Sequence, residues 1–328
     1  MAAQAARALT PARRAELVKA RALELGFNTA GVTDLAPVPH RNALAEWLDR
    51  GMAGSMAYMR RQAERRAKPA TIVPGATRAV VVTRNYYNPD PRTPPGSGQV
   101  AKYARGHDYH TALGPPLQLL SEFIASLGSG TTIAQWYVDA GPVPERELAQ
   151  RAGLGWIGKN TMLIDPARGS YCFLAAILTD LDLAPDPPFE ADRCGSCTRC
   201  LDACPTAAFP EPRVLDARRC VSYLTIEHRG EIAADLEPGL GSWLFGCDIC
   251  QDVCPWNEKF ARVANDAELQ LRRSLAHIPV REFEALDEVA FAERYGWTPL
   301  ERPGLEGMRR NAAIVAQNAR KETAWRRP

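Results

Sequence analysis

Eight of the nine cysteines of this 328-residue chain lie between Cys194 and Cys254. The first group reads CGSCTRCLDACP from Cys194, and the second reads CDICQDVCP from Cys247, with Cys220 between the two. Clustered thiolates at such spacings are typical ligands of iron–sulfur centres. This stretch therefore predicts that the protein moves single electrons.

The first group has the C-x2-C-x2-C-x3-C-P spacing of bacterial ferredoxins, in which the fourth cysteine ligates the neighbouring cluster. Three cysteines on a tight loop each reach one iron of a cubane, and the following helix carries the fourth away. The second group lacks one cysteine, which Cys220 replaces. Crossed pairing then predicts two [4Fe–4S] clusters. The ligands would be Cys194, Cys197, Cys200 and Cys254 for cluster one, and Cys204, Cys220, Cys247 and Cys250 for cluster two.

Three other uses of these cysteines fit the spacing less well. Disulfides require an oxidising compartment. Zinc sites use pairs of CxxC motifs and do not need the C-x3-C-P ends. Ordinary buried cysteines would not cluster in this way. The ninth, Cys172, lies in the apolar run YCFLAAIL and is interpreted as a small buried hydrophobe.

The composition is that of an ordinary globular protein, with 46% hydrophobic and 24% charged residues and a net charge of +2. A binding site for a polyanion would therefore have to be a local patch. The N-terminal segment Met1–Arg7 lacks the apolar region of a secretory signal, and no run approaches the ~18 apolar residues that span a bilayer. We expect a cytoplasmic protein that does not bind membranes.

The order of predicted elements indicates a mixed α+β or α/β domain, residues 1–185. A ferredoxin-like domain with two clusters, residues 186–262, and a helical, basic segment, residues 263–328, follow it. Helices are predicted from Pro11 to Gly26, from Arg41 to Arg50, from Pro115 to Leu127 and after Pro142. Strands are predicted at 27–32, 78–83, 133–138 and 171–178. The proline-rich segment 184–190 marks the first domain boundary.

Asp139 ends one of these apolar strands, just before a Gly-Pro turn. In α/β sheets, ligands bind at the carboxyl ends of the strands. A carboxylate at the end of an apolar strand suits a proton donor. The same residue could instead form an Asx turn or cap the helix that follows. The residues alone leave both readings open.

The loop from Gly153 to Thr161, GLGWIGKNT, contains GxGxxG but is a weak dinucleotide motif, because it follows a helix rather than a strand. Its backbone could approach a large polar ligand closely, or the glycines could simply form a packed turn. His107, His110 and His228 lack zinc spacing and are treated as hydrogen-bonding groups.

Five cations lie within nine residues: Arg60, Arg61, Arg65, Arg66 and Lys68. Such a run is either a solvated helix face or a patch that faces phosphates. The C-terminal segment Pro303–Lys321 is predicted to be a basic helix that carries Arg309 and Arg310.

Four segments together resemble the epoxyqueuosine reductase family over nearly the whole chain. They read VDAGPVPERELA from Val138, RAGLGWIGKNT from Arg151, CVSYLTIEH from Cys220 and FGCDICQDVCPWN from Phe245. The resemblance implies that the N-terminal domain binds cobalamin beside the two [4Fe–4S] clusters. It also implies reduction of the epoxide of epoxyqueuosine, at the wobble position of tRNA, to the alkene of queuosine. This is the last step of queuosine biosynthesis.

The resemblance further implies that Asp139 is the proton donor and that electrons pass from an external low-potential donor through the clusters to cobalamin. The residues implied to contact cobalamin are Asp139, Lys159, Asn160, Thr161, Ser222, Thr225, His228, Cys247 and Asp248. The expected partner is tRNA, with candidate contacts at Arg60, Arg61, Arg65, Arg66, Lys68, Arg309 and Arg310. We expect a monomer.

Two other classes of protein share part of this pattern. A cobalamin- and iron–sulfur-dependent reductive dehalogenase of small organohalides uses the same cofactors, but the twin-arginine leader usual for that class is not present in the sequence. A simple electron carrier would not need the ~190 residues that precede the clusters. A cobalamin absorption spectrum and turnover on epoxyqueuosine-containing tRNA would distinguish the three.

Overall fold

The valine run that the sequence marks as a buried strand forms the centre of a four-stranded sheet. In this computed structural model, which describes residues 9–267, 269 and 272–325, the run lies in β2. The strands are β1 (Thr29–Asp34), β2 (Arg78–Asn85), β4 (Ala134–Tyr137) and β7 (Cys172–Thr179). Their order is β1-β2-β7-β4. The segment Met1–Arg7, on which the prediction about secretion rests, lies outside the described residues.

Every neighbouring pair of this sheet is antiparallel. The carboxyl edge at which α/β folds bind ligands is a feature of parallel strands, so it gives no argument for Asp139 in this sheet. The strand before Asp139 is also less buried than its apolar sequence suggests, because β4 lies at the edge of the sheet and exposes Gln135. An edge strand has a neighbour on one side only, so it packs fewer of its side chains.

The chain separates into two units, and each is described by itself. The first comprises the chain up to Arg50, Tyr58–Asn85 and His110–Ser196, and it contains the four-stranded sheet. The second comprises Gly51–Ala57, Tyr86–Tyr109 and the chain from Cys197 onward. The division into three domains, 1–185, 186–262 and 263–328, remains a prediction that these two units do not test.

Helices cover the sheet of the first unit. Helix α1 (Pro11–Glu24) begins where the sequence predicts, because the Thr10 hydroxyl accepts a 3.2 Å hydrogen bond from the backbone N–H of Arg13. On one sheet face, a core forms between β2, β7 and α6 (Glu145–Arg151). Val80 and Val82 point to the opposite face, because side chains alternate along a strand.

Helix α5 (Tyr109–Ser126) begins six residues before the predicted start at Pro115. A proline within a helical pattern favours the first turn, since it has no N–H to donate. Here Pro115 and Pro116 lie inside the helix. The remaining elements that lie wholly or largely in this unit are α2 (Arg41–Asp49), α3 (Ala57–Arg61), α4 (Ala63–Ala67), a 3-10 turn (Pro69–Thr71), β5 (Trp156–Ile157) and β6 (Leu163–Ile164).

The second unit contains a three-stranded sheet of order β8-β3-β9. Strand β3 (Ser97–Val100) pairs in parallel with β8 (Trp243–Phe245) and antiparallel with β9 (His277–Pro279). The predicted basic helix is present as α14 (Gly304–Trp325), whose apolar face joins the core of this unit through Leu305, Met308, Ala312 and Val315.

The remaining helices of the second unit are short. They are α7 (Arg199–Asp202), α8 (Val221–Ile226), α9 (Ile249–Asp252), α10 (Pro255–Phe260), α11 (Arg273–Ala276), α12 (Glu282–Ala285) and α13 (Glu288–Tyr295). The 3-10 turns are Lys102–Ala104, Ala217–Arg219, Glu237–Leu240 and Pro299–Glu301. Among the described residues, no helix is both long enough and apolar enough to cross a bilayer.

Candidate functional site

The thiols predicted to hold cluster two lie close enough to influence one another. Burial raises the pKa of Cys247, and the charges of Cys220 and Cys204 raise it further. Burial also raises the pKa of Cys250, with added contributions from Cys247 and Cys220. Thiolates grouped in this way would be stabilised by the irons of a cluster when it is bound.

Backbone N–H groups point at these sulfurs. The N–H of Ala208 donates to Cys204 Sγ at 3.3 Å, directly after Ala207, which has a left-handed backbone with φ +48°. The N–H groups of Tyr223 and Ser222 act against the burial that raises the pKa of Cys220. Hydrogen bonds to sulfur are a usual feature of iron–sulfur sites. The donor set therefore fits a cluster of thiolate-ligated iron.

Three of the cysteines predicted to hold cluster one lie near a charged or hydrogen-bonding side chain. In the second unit, Arg199 lies near Cys197 and Cys254, and their charges add to the Glu258 hydrogen bond that raises the pKa of Arg199. In the first unit, Cys194 Sγ accepts a 3.4 Å hydrogen bond from the indole nitrogen of Trp156. All nine cysteines are free of disulfides.

Asp139 lies just beyond β4 with an exposed side chain. Its backbone is left-handed, with φ +46°, and Gly141 two residues later has φ +80°. A non-glycine residue in this region costs about 1–3 kcal/mol and persists only where its surroundings enforce it. Such strain concentrates at functional sites, which supports a reading of Asp139 beyond a simple turn.

Arg66 holds this strained loop. Its guanidinium donates to the carbonyl oxygen of Gly141 at 3.0 Å and to that of Val143 at 3.3 Å. A third hydrogen bond, to the side chain of Gln62, fixes the guanidinium on its own helix at 3.2 Å. The cation therefore anchors the chain directly after Asp139.

Two charged residues of α6 face the same loop. Burial raises the pKa of Glu145 to about 7, and the charge of Asp139 adds to that rise. Arg146 donates to the carbonyl oxygen of Thr161 at 2.7 Å, and the charges of Glu145 and Asp139 act on it. Thr161 is a second non-glycine residue with a left-handed backbone, at φ +66°. Arg146 thus links the Asp139 loop to the predicted cofactor loop.

The glycines of the 153–161 loop pack against protein. A Cβ on Gly155 would lie 2.2 Å from the carbonyl oxygen of Ile164, and one on Gly158 would lie 2.6 Å from Ile164 Cδ1. Strands β5 and β6 form the hairpin that these glycines permit. Gly155 and Gly158 therefore form a packed turn, the second of the two interpretations. Contact with a ligand remains a prediction for the residues that end the loop, Lys159, Asn160 and Thr161.

The residues implied to contact cobalamin fall in both units. In the first, the Asn160 side chain is buried, with its Oδ1 accepting from the N–H of Met162 at 3.3 Å, and Lys159 Nζ donates to the carbonyl oxygen of Gly195 at 2.7 Å. Thr161 is partly exposed beside Arg146. Asp139 and Thr161 are therefore the two of this group that combine a left-handed backbone with accessible side chains.

In the second unit, the Thr225 hydroxyl donates to the carbonyl oxygen of Val221 at 2.8 Å and accepts from the N–H of Gly246 at 2.9 Å. A ring nitrogen of His228 lies 2.8 Å from the carbonyl oxygen of Glu231. Ser222 is partly exposed, and Asp248 is buried. Thr225 therefore contributes to the structure of this region rather than offering a free hydroxyl.

A buried charge network supports the loop of Cys247 and Cys250. The ammonium of Lys102 is 2% exposed and lies 2.6 Å from Asp90, 2.7 Å from Asp252 and 3.6 Å from Asp248. The backbone N–H of Lys102 also donates to Asp248 at 2.7 Å. Burial raises the pKa of Asp248 to about 6 against the opposing charge of Lys102. One lysine thus binds carboxylates on both sides of Cys250.

Most cations of the predicted tRNA contacts already bind backbone carbonyls. Besides Arg66, these are Arg60 with Leu48, Arg65 with Ile72, Arg309 with Phe283 and Leu286, and Arg310 with Leu224, His228 and Gly230. Lys68 pairs with Glu64 on the surface, and Arg61 is exposed. A guanidinium has five donors, so these contacts leave some for a phosphate.

The sequence did not predict the structural roles that four residues have in this site. They are Arg66 as an anchor of the Asp139 loop, Glu145, Lys102 and Trp156. The sequence held a partial signal for two of them, namely a lysine within the apolar run VAKYA and a tryptophan within a glycine-rich loop.

Comparison with known proteins assigns the class first. Residues 193–257 match a family model described as a 4Fe-4S double cluster binding domain, so the cysteine segment is that of an iron–sulfur protein. Residues 66–140 match the model described as epoxyqueuosine reductase QueG.

Relatives and solved structures extend the match along the chain. Epoxyqueuosine reductases of Pseudomonas aeruginosa and Xanthomonas campestris are 42% and 40% identical, over 94% of this chain and 86% and 88% of theirs. A crystal structure of epoxyqueuosine reductase with an epoxyqueuosine-modified tRNA-Tyr stem loop superposes with a TM-score of 0.85 at 29% identity. It covers 94% of this chain and 82% of that one. The chain belongs to the epoxyqueuosine reductase family, and it is an oxidoreductase.

The same coverage and TM-score relate the chain to an epoxyqueuosine reductase of Bacillus subtilis at 29% identity. In that enzyme, a catalytic loop with an aspartate is swung out of the active site.

Proposed function

We propose that this enzyme reduces epoxyqueuosine to queuosine at the wobble position of tRNA, using two [4Fe–4S] clusters and cobalamin, with Asp139 as the proton donor. The observation that carries the proposal is the Asp139 loop. An exposed carboxylate is held on a strained backbone, anchored by Arg66 and flanked by Glu145 and Arg146.

When bound, cobalamin supplies the reducing centre for the epoxide carbon, and the clusters deliver single electrons to it. The task of the chain is to bind these groups, to orient the nucleotide and to move the proton. The epoxide oxygen must leave as hydroxyl rather than alkoxide, so a carboxylic acid within hydrogen-bond distance of it lowers the barrier. Asp139 is the residue that we assign to that task.

The groups would be held by the residues that the sequence predicts. The clusters would use the two crossed sets of four cysteines. Cobalamin would be contacted by Asp139, Lys159, Asn160 and Thr161, by Ser222, Thr225 and His228, and by the backbone near Cys247 and Asp248. The boundaries 1–185, 186–262 and 263–328 would separate the cobalamin, cluster and C-terminal parts.

The anticodon loop presents its bases unpaired, so the substrate base can enter a pocket while cations contact the phosphates. Arg61 and Lys68, and the remaining donors of Arg60, Arg65, Arg66, Arg309 and Arg310, are the proposed contacts. We further propose a cytoplasmic monomer that receives electrons from an external low-potential donor.

The decisive experiment is turnover of epoxyqueuosine-containing tRNA by the anaerobically reconstituted protein, with a strong chemical reductant. Formation of queuosine supports the proposal. Reduction of an organohalide without reaction of the tRNA would favour the dehalogenase reading. An absent cobalamin spectrum after reconstitution would favour a simple electron carrier.

The Asp139→Asn variant tests the proton donor within the same assay. The amide keeps the shape but cannot act as an acid, so turnover should fall by about 10²–10⁴-fold. Both the cluster absorption and the bound cobalamin should remain. Turnover at the wild-type rate would remove Asp139 from the mechanism.

A further inference from the structure

The indole of Trp156 is the unassigned group that lies closest to the iron–sulfur chemistry in the first unit. Its ring is 1% exposed, and its Nε1–H donates to Cys194 Sγ at 3.4 Å. A buried indole N–H needs an acceptor. A neutral thiol is a weak acceptor, whereas a thiolate bound to iron is a much better one. The contact is therefore best satisfied when Cys194 ligates a cluster.

The surroundings of Trp156 fix this geometry. The indole ring stacks on the Phe189 ring, with centroids 5.6 Å apart. The guanidinium of Arg193 lies over the Phe189 ring, 5.2 Å from its centroid. The glycine at position 155 lets the β5–β6 hairpin close tightly next to the tryptophan. The indole N–H therefore points at the sulfur without depending on a mobile side chain.

The hairpin holds the next residue of the cysteine loop as well. Lys159 Nζ donates to the carbonyl oxygen of Gly195 at 2.7 Å, directly after Cys194. Two side chains from one glycine-rich loop thus bind two consecutive residues at the start of the first cysteine group. This gives the loop a role that neither dinucleotide binding nor simple turning explains.

We propose that the Trp156 indole N–H raises the reduction potential of the cluster ligated by Cys194, relative to the same cluster without this hydrogen bond. Reduction adds negative charge to the cluster sulfurs, so an N–H dipole directed at one of them stabilises the reduced state more than the oxidised state. Trp156 is a positioning residue for electron transfer. The proposal rests on Cys194 as a ligand in the proposed function.

The test is an EPR-monitored redox titration of both clusters in the wild type and in the Trp156→Phe variant. Phenylalanine keeps an aromatic ring against Phe189 but removes the N–H. Because the hydrogen bond is stronger in the reduced state, its loss should change the ratio of reduced to oxidised cluster at a fixed potential by about three- to tenfold. At 59 mV per tenfold change for one electron, one midpoint should move about 30–60 mV more negative, and the other should stay.

Trp136→Phe is the matched control. Its indole donates to Gln118 Oε1 at 3.0 Å, so the same atoms are removed from an acceptor that is not a cysteine. Neither midpoint should move in this variant. If Trp156→Phe leaves both midpoints at the wild-type values with both clusters present, the proposal is wrong. Equal shifts of both midpoints would also overturn it.

A measurement on the wild-type fold covers the case in which Trp156→Phe loses a cluster. Protein labelled with 15N-indole tryptophan should show a nitrogen hyperfine coupling in pulsed EPR of one reduced cluster, because the indole nitrogen lies next to a ligating sulfur. The absence of this coupling would overturn the proposal. So would a Cys194→Ala variant with the full iron content of both clusters.

These results are independent of the catalytic assignment. A wild-type protein that shows the coupling and the midpoint shift but does not convert epoxyqueuosine would retain this inference and lose the proposed substrate. A protein that converts the substrate without either effect would retain the function and lose the role of Trp156.

Discussion

The guanidinium of Arg66 donates a 3.0 Å hydrogen bond to the carbonyl oxygen of Gly141, two residues beyond the proposed proton donor. The sequence offered this arginine as one of seven candidate tRNA contacts. In the structure it also holds the loop of Asp139. The two roles make different predictions.

We expect Arg66→Lys to lower turnover by about 10–100-fold, because an ammonium cannot bind both carbonyls of the loop and a misplaced acid loses much of its effect. Turnover and tRNA affinity should be measured separately. The affinity and its salt dependence should stay close to wild type if Arg66 positions the loop. A weaker affinity with a shallower salt slope and unchanged turnover would make Arg66 a phosphate contact.

Arg65→Lys is the control for this variant. Arg65 lies on the same short helix and donates to the carbonyl oxygen of Ile72 at 3.0 Å rather than to the carbonyls of Gly141 and Val143. Turnover should remain within about twofold of wild type, since one surface contact contributes little. A fall equal to that of Arg66→Lys would mean that the helix, and not the Arg66 contact, is what matters.

The Glu145 carboxyl predicts a pH dependence of stability. Its pKa is raised to about 7 by burial and then by Asp139, against 4.5 for the free group. Between these values the folded protein binds more protons than the unfolded one, so stability falls as the pH rises from about 4.5 to about 7. The loss should be about 1–3 kcal/mol once the partial exposure of the group is allowed for.

Thermal melts of wild type and Glu145→Gln between pH 5 and pH 8 check this expectation. The glutamine variant cannot ionise, so its melting temperature relative to wild type should increase across that range. Glu64→Gln, on the exposed surface, should show no such trend. Parallel melting curves for Glu145→Gln and wild type would show that Glu145 does not titrate in this window.

The Lys102 network predicts a specific effect on cluster two. Lys102→Met removes the ammonium that pairs with the buried Asp248 and with Asp252, which typically costs about 3–5 kcal/mol. We expect the variant to retain less iron after reconstitution and to melt at a lower temperature.

Lys68→Met supplies the comparison, because Lys68 pairs with an exposed glutamate at 3.2 Å. That variant should lose at most about 1 kcal/mol and keep its iron. If Lys102→Met keeps the full iron content and the wild-type melting temperature, the network does not support the cysteine loop.

The glycine-rich loop predicts a cost for any side chain at position 155. A Cβ there would lie 2.2 Å from the Ile164 carbonyl oxygen, so Gly155→Ala must push the β5–β6 hairpin apart. We expect a loss of about 1–3 kcal/mol by chemical denaturation. Gly130→Ala is the control, since nothing lies within 4 Å of the added carbon. Equal stabilities of the two variants would contradict the packing argument.

Local sequence was enough to predict the elements whose causes are local. The Thr10 cap, the buried run of β2 and the helix at the C-terminus are present as predicted. The early start of α5 was missed because a proline pair usually marks a helix start. The direction of strand pairing was not predicted, because an apolar run reads the same in parallel and antiparallel sheets.

In the site too, features with local causes were predictable from the sequence and features that depend on distant contacts were not. Cysteine spacing predicts clusters because the ligands of each group are close in sequence, and the family match to a double cluster domain agrees with it. The anchors are distant in sequence from what they hold. Arg66 is 75 residues from Gly141, and Lys102 is 150 residues from Asp252. No local pattern encodes such contacts, so one chain alone does not predict them.

The edge position of β4 has a consequence for how the enzyme can move. Strand β2, bonded on both sides and with Val80–Val82 fully buried, should exchange its amide hydrogens only by global opening. Strand β4 has β7 as its one strand partner, so the segment that leads to Asp139 has fewer backbone hydrogen bonds to break than β2 when it moves. Movements of the Asp139 loop would then cost less free energy than opening of the sheet. Changes at Arg66 could alter how often the loop moves without changing the thermal stability of the sheet.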